Sequence, residues 1–516
     1  MNKVRSKEFY LGYLLEGIWD ELDSSLMKSP IEGIALDSRE VNKGYLFFAV
    51  EGKNQNGNDF IDEAFERGAT AVLSDKKHDN HKVIFVPELK KLIGKISSRF
   101  FGEPSKNLET FVVTGTNGKT TCVEAISQIG NLIGMKSGYV STIGVSLDAA
   151  NIFKEANLTT PNPVDLQTIL FDMNVKKTRL VSIEASSIGL DQSRLHGVEV
   201  DVAILTSFSQ DHLDYHKSMK DYARAKMKLL TDLDPRIVIL NANNLFDTEL
   251  GGELKSWCKV TDAKVITVGE RNSLNENKIA NTINAYYELS LTKEGNIQVG
   301  LLCDDGFPES HQKERNFILK TVSKSLASNV VCAVVAMLAK GLNLSHVYPS
   351  LQKIKFPDGR MKVINLSSKD KCYIDYAHTP EALDTVLRDL KEAYPKSNIW
   401  CLFGCGGDRD EAKRPLMGRV AETIADNVVI TNDNPRNENE MDIINQIIFH
   451  IKDKSHLKII PNRENAINFC LNKITKSERS CVLLIAGKGH EKFQEIRGKK
   501  RVFNDRDIVD SFVNLP

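Results

Sequence analysis

Val113-Thr114-Gly115-Thr116-Asn117-Gly118-Lys119-Thr120-Thr121 stands between an apolar run, Phe111-Val112-Val113, and a stretch of helical periodicity. Strand, glycine loop and helix in that order form a phosphate-binding arrangement. Gly115 and Gly118 let the backbone curl so that amide N–H groups point at phosphate oxygens, and the helix N-terminus adds a favourable dipole. Lys119 is placed to neutralise the β and γ phosphates and Thr120 to ligate magnesium. The commonest phosphate loop has glycine at the position held here by Val113, so this loop is shorter.

Working outward, the block that opens with this loop alternates β-branched runs with helical periodicity. Val181–Ile183, Val202–Leu205 and Ile237–Leu240 are predicted strands and Asp221–Leu230 a helix, which implies a mostly parallel sheet. Tyr286–Leu302 alternates around Lys293-Glu294-Gly295-Asn296, as expected of a hairpin appended to that sheet. A helix around Ser328–Ala339, capped by Gly341, closes the block, and the polar insertion Asn272–Asn281 is expected to be a loop. Upstream, the runs Tyr45–Val50 and Ala71–Leu73 with the amphipathic stretch Phe60–Arg67 predict a small α/β domain, ended by the turn-rich Gly102-Glu103-Pro104-Ser105. Downstream of Phe356-Pro357-Asp358-Gly359, strands predicted at Cys372–Ile374, Ile399–Phe403, Asn427–Ile430 and Val482–Ile485 build a second α/β sheet. The expectation is an α/β protein of three domains, with boundaries at 1–104, 105–355 and 356–516.

A length of 516 residues fits about three domains. Lys plus Arg and Asp plus Glu number 68 each, so no global basic field attracts nucleic acid or anionic membrane. The longest apolar stretch, Val330–Ala339, has ten residues, about half of the roughly 20 needed to cross a bilayer. Met1–Trp19 is interrupted by charges and lacks a signal-peptide pattern, and nine scattered cysteines with no Cys-x-x-Cys pair read as reduced thiols. A folded cytoplasmic protein with no nucleic-acid partner and no membrane insertion is expected.

The loop says that a nucleotide binds; other residues must supply the reaction. Glu184 follows a predicted strand, where an α/β sheet places its ligand crevice, and a hard carboxylate there suits magnesium, though it reads also as a surface acid at a strand end. Ser186, Ser187, Gln192 and Arg194 come next, polar groups able to contact an anionic substrate. Asp211, His212, Asp214 and His216 crowd the segment Thr206–His216 after the next strand, the pattern of an active-site loop. Lys226 stands four residues after Tyr222 among Ala223, Ala225, Met227 and Leu230, where by itself a solvated lysine is the plainer reading.

Together, these motifs resemble the Mur ligase superfamily, ATP-dependent amide-forming enzymes of peptidoglycan synthesis. The resemblance runs from Asp37-Ser38-Arg39 to Gly487-Lys488-Gly489-His490-Glu491, nearly the whole chain. It implies a small N-terminal α/β nucleotide-sugar domain, a central P-loop-like ATPase domain with a mostly parallel sheet, and a C-terminal Rossmann-like α/β domain. The activity implied is addition of the third amino acid to UDP-N-acetylmuramoyl-L-alanyl-D-glutamate. Ser38 then resembles a uridine-nucleotide contact, and Thr159, Thr160, Ser186, Gln192 and Arg194 the residues that hold the muramoyl dipeptide. Gly115, Thr116, Asn117, Gly118, Lys119, Thr120 and Thr121, with Asn329, Arg360, Asp375 and His378, resemble the ATP contacts, so the site is completed by domain closure. Thr120, Glu184, His212 and Lys226 match the magnesium set, Lys226 as a carbamate made with carbon dioxide, and Lys119, Glu184, His212 and Lys226 the catalytic set.

Amino-acid recognition falls to Arg409, Asp433, Asn434, Arg436, Gly487 and Glu491. Asp433-Asn434-Pro435-Arg436 marks the family members that add meso-diaminopimelate, and a guanidinium fork suits the distal carboxylate that lysine lacks. Ile188 stands where many relatives have histidine, and Asn437-Glu438-Asn439-Glu440 lacks the proline common there. Arg409 reads otherwise as a loop charge and Glu491 as an acid at a helix N-terminus. The implied reaction is formation of an acyl phosphate from the D-glutamate γ-carboxylate and ATP, then displacement of phosphate by the amine. A monomer is expected. The rivals are the same ligase adding L-lysine, a folate polyglutamate ligase, and a nucleotide-dependent switch that makes no product.

Overall fold

The computed structural model describes residues 9–19, 24–52, 55–147, 152–154, 158–276, 279, 281–307 and 312–514. The first eight residues of the N-terminal stretch and Asn277, Lys278 and Ala280 of the polar insertion lie outside them. The chain divides into two compact units. One comprises Met1–Val112, Met135–Ala203 and Ala225–Arg236, the other Val113–Gly134, Ile204–Arg224 and Ile237–Pro516.

The first unit contains a four-stranded parallel sheet of Gly33–Ala35, Tyr45–Ala49, Ala71–Ser74 and Val83–Phe85, in that order. The helix Leu89–Phe100 buries Leu89, Ile93, Ile96 and Phe100 against it, an i, i+4, i+7 stripe that dictates which face turns inward. Further along, Leu180–Glu184 pairs in parallel with Ser137–Ser141, which is followed by an antiparallel strand, Gly144–Ser146. This register sets Glu184 at the carboxyl end of its strand, the end at which α/β sheets bind ligands.

In the second unit Ile237–Asn241, Lys264–Glu270 and Thr282–Leu291 run parallel. The predicted hairpin is present as Thr282–Leu291 against Ile297–Cys303, and a third antiparallel strand, Arg315–Leu319, extends it. The insertion Asn272–Asn281, expected as a loop, begins instead as a short helix, Arg271–Glu276; buried Leu274 gives it an apolar anchor that its polar composition hid. The apolar run Val330–Ala339 lies in Lys324–Ala339, a helix buried all round that packs on Lys119–Leu132, with Ser323 as its N-cap. Among the described residues no helix is long and apolar enough to cross a membrane.

A six-stranded sheet follows in the order Lys362–Asn365, Lys371–Asp375, Cys481–Ala486, Asn398–Phe403, Asn427–Ile430 and Leu457–Ile459, parallel except for the first pair. Its central strands are apolar throughout because both faces are covered. Val482, Leu484 and Ala486 pack with Leu383, Leu387, Met417 and Ile444 on one side, while Cys481, Leu483 and Ile485 pack with Ile467, Leu471 and Val509 on the other. The fold is thus mixed α/β with several mostly parallel sheets, and the cysteines are buried free thiols within it.

Candidate active site

The strand Glu109–Thr114 delivers the glycine loop, and the helix Lys119–Leu132 leaves it. Gly118 has φ +88°, and a side chain there would collide with the Asn329 amide; one at Gly115 would collide with Thr206 Oγ1. Close approach of neighbouring groups therefore fixes both glycines. The segment after Val202–Leu205 clamps the loop: Ser207 Oγ accepts from Asn117 N–H at 2.9 Å, Thr206 Oγ1 donates to Asn117 O at 2.6 Å, and Thr116 Oγ1 donates to Ser209 O at 3.1 Å. Lys119 Nζ folds back to donate to Gly115 O and Thr116 O, each at 2.9 Å, poised over the loop.

A cavity of about 490 Å³ opens beside the loop, lined among others by Asn117, Gly118, Thr121, Asn329, Arg360 and Asp375. Six residues expected to contact ATP thus share one chamber. Asp375 ends its strand buried, its two carboxylate oxygens accepting from Met361 N–H at 2.7 Å and Ala377 N–H at 2.8 Å. Burial pushes its carboxyl above the ordinary range, against the pull of the Arg360 charge and the two amides. The Arg360 guanidinium lies 4.8 Å over the Tyr376 ring. His378 turns Nδ1 to Tyr376 O at 2.7 Å and Nε2 towards Asp211 Oδ2 at 3.6 Å.

Asp211 gathers basic side chains from three segments: His378, His212 Nε2 at 3.5 Å and Lys413 Nζ at 3.6 Å. Burial alone would raise its carboxyl, but the close approach of His378, His212 and Lys413 outweighs this and holds it well below the usual carboxylate range. Gln210 Nε2 donates to Asp410 Oδ2 at 2.9 Å and Arg409 stands 3.9 Å from Asp214, so the segments 210–214 and 409–413 meet at several points.

The residues expected to recognise the amino acid lie in loops that follow strands of the six-stranded sheet, Arg409 after Asn398–Phe403 and the others after the ends of two more, Asn427–Ile430 and Cys481–Ala486. Asn434 Nδ2 donates to Glu491 Oε2 at 2.8 Å, Asp433 Oδ2 lies against Gly487, and Arg409 and Arg436 flank Gly406. Arg436 Nη1 donates to Gly407 O at 2.7 Å and its Nε faces Glu495 at 3.5 Å, which orients the guanidinium while the side chain keeps 20% exposure. Beneath them the fully buried pair Arg463–Asp505, bonded at 2.7 and 2.8 Å, ties the two strand ends together through Asn432 O and Ala486 O.

In the first unit Glu184 is 0% exposed. Its Oε2 accepts from Thr142 Oγ1 at 2.6 Å, whereas Oε1 is buried without a hydrogen-bond partner among the described residues, the acceptor that a hard cation satisfies. Thr142 Oγ1 also bonds Thr159, Thr160 bonds Ser186, and Arg194 reaches Thr160 O at 2.7 Å and Gln192 Oε1 at 2.7 Å, so the residues expected to hold the muramoyl dipeptide form one network. Ser38 stands apart in a short turn, donating to Glu63 at 2.8 Å. Lys226 is 1% exposed in the helix Met219–Thr231, not the solvated lysine that is usual on helices. Among the described residues no group of three or more His, Cys, Asp and Glu side chains is placed to hold a metal, so a cation would need hydroxyl or modified donors as well.

Three family domains match in chain order: the Mur ligase family catalytic domain over 30–100, the Mur ligase middle domain over 113–337 and the Mur ligase glutamate ligase domain over 359–489. The UDP-N-acetylmuramoyl-L-alanyl-D-glutamate–2,6-diaminopimelate ligase of Buchnera aphidicola subsp. Schizaphis graminum is 36% identical over 487 residues, 92% of this chain and 94% of the relative. The chain belongs to the Mur ligase family. The enzyme of the same name from Aquifex aeolicus is 35% identical, covering 95% of each chain. A solved structure described as a UDP-N-acetylmuramoyl-L-alanyl-D-glutamate–2,6-diaminopimelate ligase superposes on this Mur ligase with a TM-score of 0.69 at 28% identity, covering 98% of this chain and 99% of the other.

Several residues of this Mur ligase site escaped the sequence reading. Asp211 lay inside the quoted loop but gave no sign that it would collect His378 and Lys413. Thr142, which fixes Glu184, belongs to no motif. Lys488 sits within the quoted Gly-Lys-Gly-His-Glu run, yet a lysine between glycines reads as solvated, and it is buried.

Proposed function

We propose that this Mur ligase is the ATP-dependent ligase that joins meso-diaminopimelate to the D-glutamate γ-carboxylate of UDP-N-acetylmuramoyl-L-alanyl-D-glutamate, a cytoplasmic step of peptidoglycan synthesis. The observation that carries the choice of amino acid is the oriented pair of a partly exposed cation, Arg436, and a partly exposed anion, Glu491, in loops that follow two strands of one sheet. A substrate with a carboxylate and an ammonium at its distal end satisfies both; L-lysine has only the ammonium. A folate polyglutamate ligase needs neither the Asp37-Ser38-Arg39 contact nor Asp433-Asn434-Pro435-Arg436. Domains at 1–104, 105–355 and 356–516 and a monomeric enzyme complete the reading.

ATP is held by the glycine loop with Asn329, Arg360, Asp375 and His378. The γ-carboxylate attacks the γ-phosphate and ADP leaves. The neutral amine of diaminopimelate then adds to the acyl phosphate, and the tetrahedral intermediate collapses with loss of phosphate. Lys119 meets the charge on the transferring phosphoryl group, and the clamped loop fixes the geometry of attack. Magnesium, when bound, neutralises phosphate charge; Thr120, Glu184, His212 and the carbamate of Lys226 are the residues that would hold it. Glu184 Oε1, buried and without a hydrogen-bond partner among the described residues, supports its share in this set. Incubation with ATP, the UDP-linked dipeptide and one amino acid at a time, read by product mass, tests the assignment: meso-diaminopimelate should give product far faster than L-lysine, and a preference for lysine overturns it.

Carbamylation requires a neutral amine, and burial disfavours a charged one. The near-complete burial of Lys226 supports its assignment on that ground. Lys226→Ala should lose activity on the order of 100-fold or more, as when one group stabilising transferring charge is removed. Small carboxylates such as formate should restore part of the rate by filling the vacated volume. Full activity in the variant, or a loss that no carboxylate relieves, counts against the carbamate.

A further inference from the structure

Lys488 is 0% exposed and carries no role in the reaction as described. An ammonium has three protons, and three acceptors surround this one: Asn434 Oδ1 at 3.0 Å, Glu491 Oε2 at 2.7 Å and Phe493 O at 2.7 Å. With every proton placed and no surface open, Lys488 does not meet a substrate. Its effect falls on the two residues it holds. Glu491 Oε2 accepts from both Lys488 Nζ and Asn434 Nδ2, which commits that oxygen to the protein and leaves Oε1 for a ligand, on a side chain with 29% exposure. Asn434 Oδ1 accepts from Lys488 and from Glu495 N–H at 2.9 Å, so its amide has one orientation, carbonyl inward and NH₂ on Glu491.

We propose that Lys488 is a positioning residue for amino-acid selection: by fixing Asn434 and Glu491 Oε2 it aims Glu491 Oε1 at the second, non-reacting ammonium of the substrate. This rests on the functional reading above. The attacking amine must be neutral, so the ammonium that an anion can hold is the distal one. Removing Lys488 takes one donor from each of three acceptors: Asn434 Oδ1 keeps only the Glu495 N–H and Glu491 Oε2 only the Asn434 amide, so the carboxylate loses its charged anchor and its aim loosens.

The test compares meso-diaminopimelate with 2-aminopimelate, which keeps both carboxylates and the reacting amine but lacks the second ammonium, on the full-length protein. Wild type should prefer the diamino substrate strongly in kcat/KM. Lys488→Met, similar in length but without donors, should lose roughly 10- to 100-fold of that preference, the range for leaving buried partners unsatisfied. The loss should appear mainly in KM for the diamino substrate, with KM for ATP within about twofold. Lys488→Arg keeps the charge, but its planar fork does not match three diverging acceptors; it should lose the preference as well, and it serves if the methionine variant does not fold. A folded variant that keeps the wild-type preference, or that slows equally with both amino acids, overturns the proposal. A wild-type protein that makes no product with meso-diaminopimelate overturns instead the functional reading on which it rests.

Discussion

Replacing Lys119 by alanine should abolish useful turnover while leaving a folded protein. The ammonium is anchored at the head of the helix Lys119–Leu132 by the carbonyls of Gly115 and Thr116, so in the resting protein it already stands where phosphate oxygens meet the loop amides. Its charge gains most when the phosphoryl group is between donor and acceptor, since that is when negative charge is most spread over the oxygens. Loss of one such preorganised donor costs about 2.7–4 kcal/mol in comparable sites, or 10²- to 10³-fold in kcat. The fold should survive because the loop keeps its clamp through Thr116, Asn117, Thr206 and Ser207, none of which bonds the Lys119 ammonium through its side chain. Steady-state phosphate release, with circular dichroism as a control on folding, measures this; turnover within tenfold of wild type removes Lys119 from the phosphoryl-transfer step.

Arg436→Ala should leave ATP binding nearly untouched and raise KM for meso-diaminopimelate steeply. The backbone at this position is held independently of the side chain: Arg436 N–H donates to Glu495 O at 3.1 Å, and Arg436 O accepts from Arg497 N–H at 2.6 Å. Alanine therefore removes the guanidinium without releasing the turn. The position has φ +50°, a conformation as uncomfortable for arginine as for alanine, so backbone strain cancels in the comparison. What is lost is a charge-assisted contact to a desolvated carboxylate, roughly 2 to 5 kcal/mol. L-lysine has no distal carboxylate to strand, so the variant should discriminate less between the two amino acids. Kinetics with each amino acid at saturating ATP decide it; an unchanged KM for meso-diaminopimelate moves carboxylate recognition elsewhere, with Arg409 across Gly406 the first alternative.

Strands that are buried on both faces were legible. Val202–Leu205 begins and ends where its apolar run does, and Asn427–Ile430 adds one residue to the run Val428–Ile430, because a sheet covered on two sides demands continuous hydrophobicity. Edge strands were not: Leu457–Ile459 is largely exposed and Lys362–Asn365 half-exposed, so neither leaves a pattern of burial in the sequence. Arg315–Leu319 was missed for a related reason, as its pairing partner and not its composition makes it a strand. The same division holds for the site. The glycine loop is local, its loop residues and capping lysine within nine positions, and it could be read directly. The basic side chains around Asp211 include His378 and Lys413, and the acceptors around Lys488 come from Asn434, Glu491 and Phe493; such groupings exist only once the sheets have formed.

Phosphate release from ATP, followed while the UDP-linked muramoyl dipeptide and meso-diaminopimelate are supplied separately and together, bears most directly on the assignment of this chain as an amide-forming ligase. Sustained release should require both, one phosphate for each product molecule, and the product should be heavier than the dipeptide by one diaminopimelate less one water. Equal release from ATP alone, or release with no gain in product mass, is incompatible with the ligase and describes a nucleotide-hydrolysing switch.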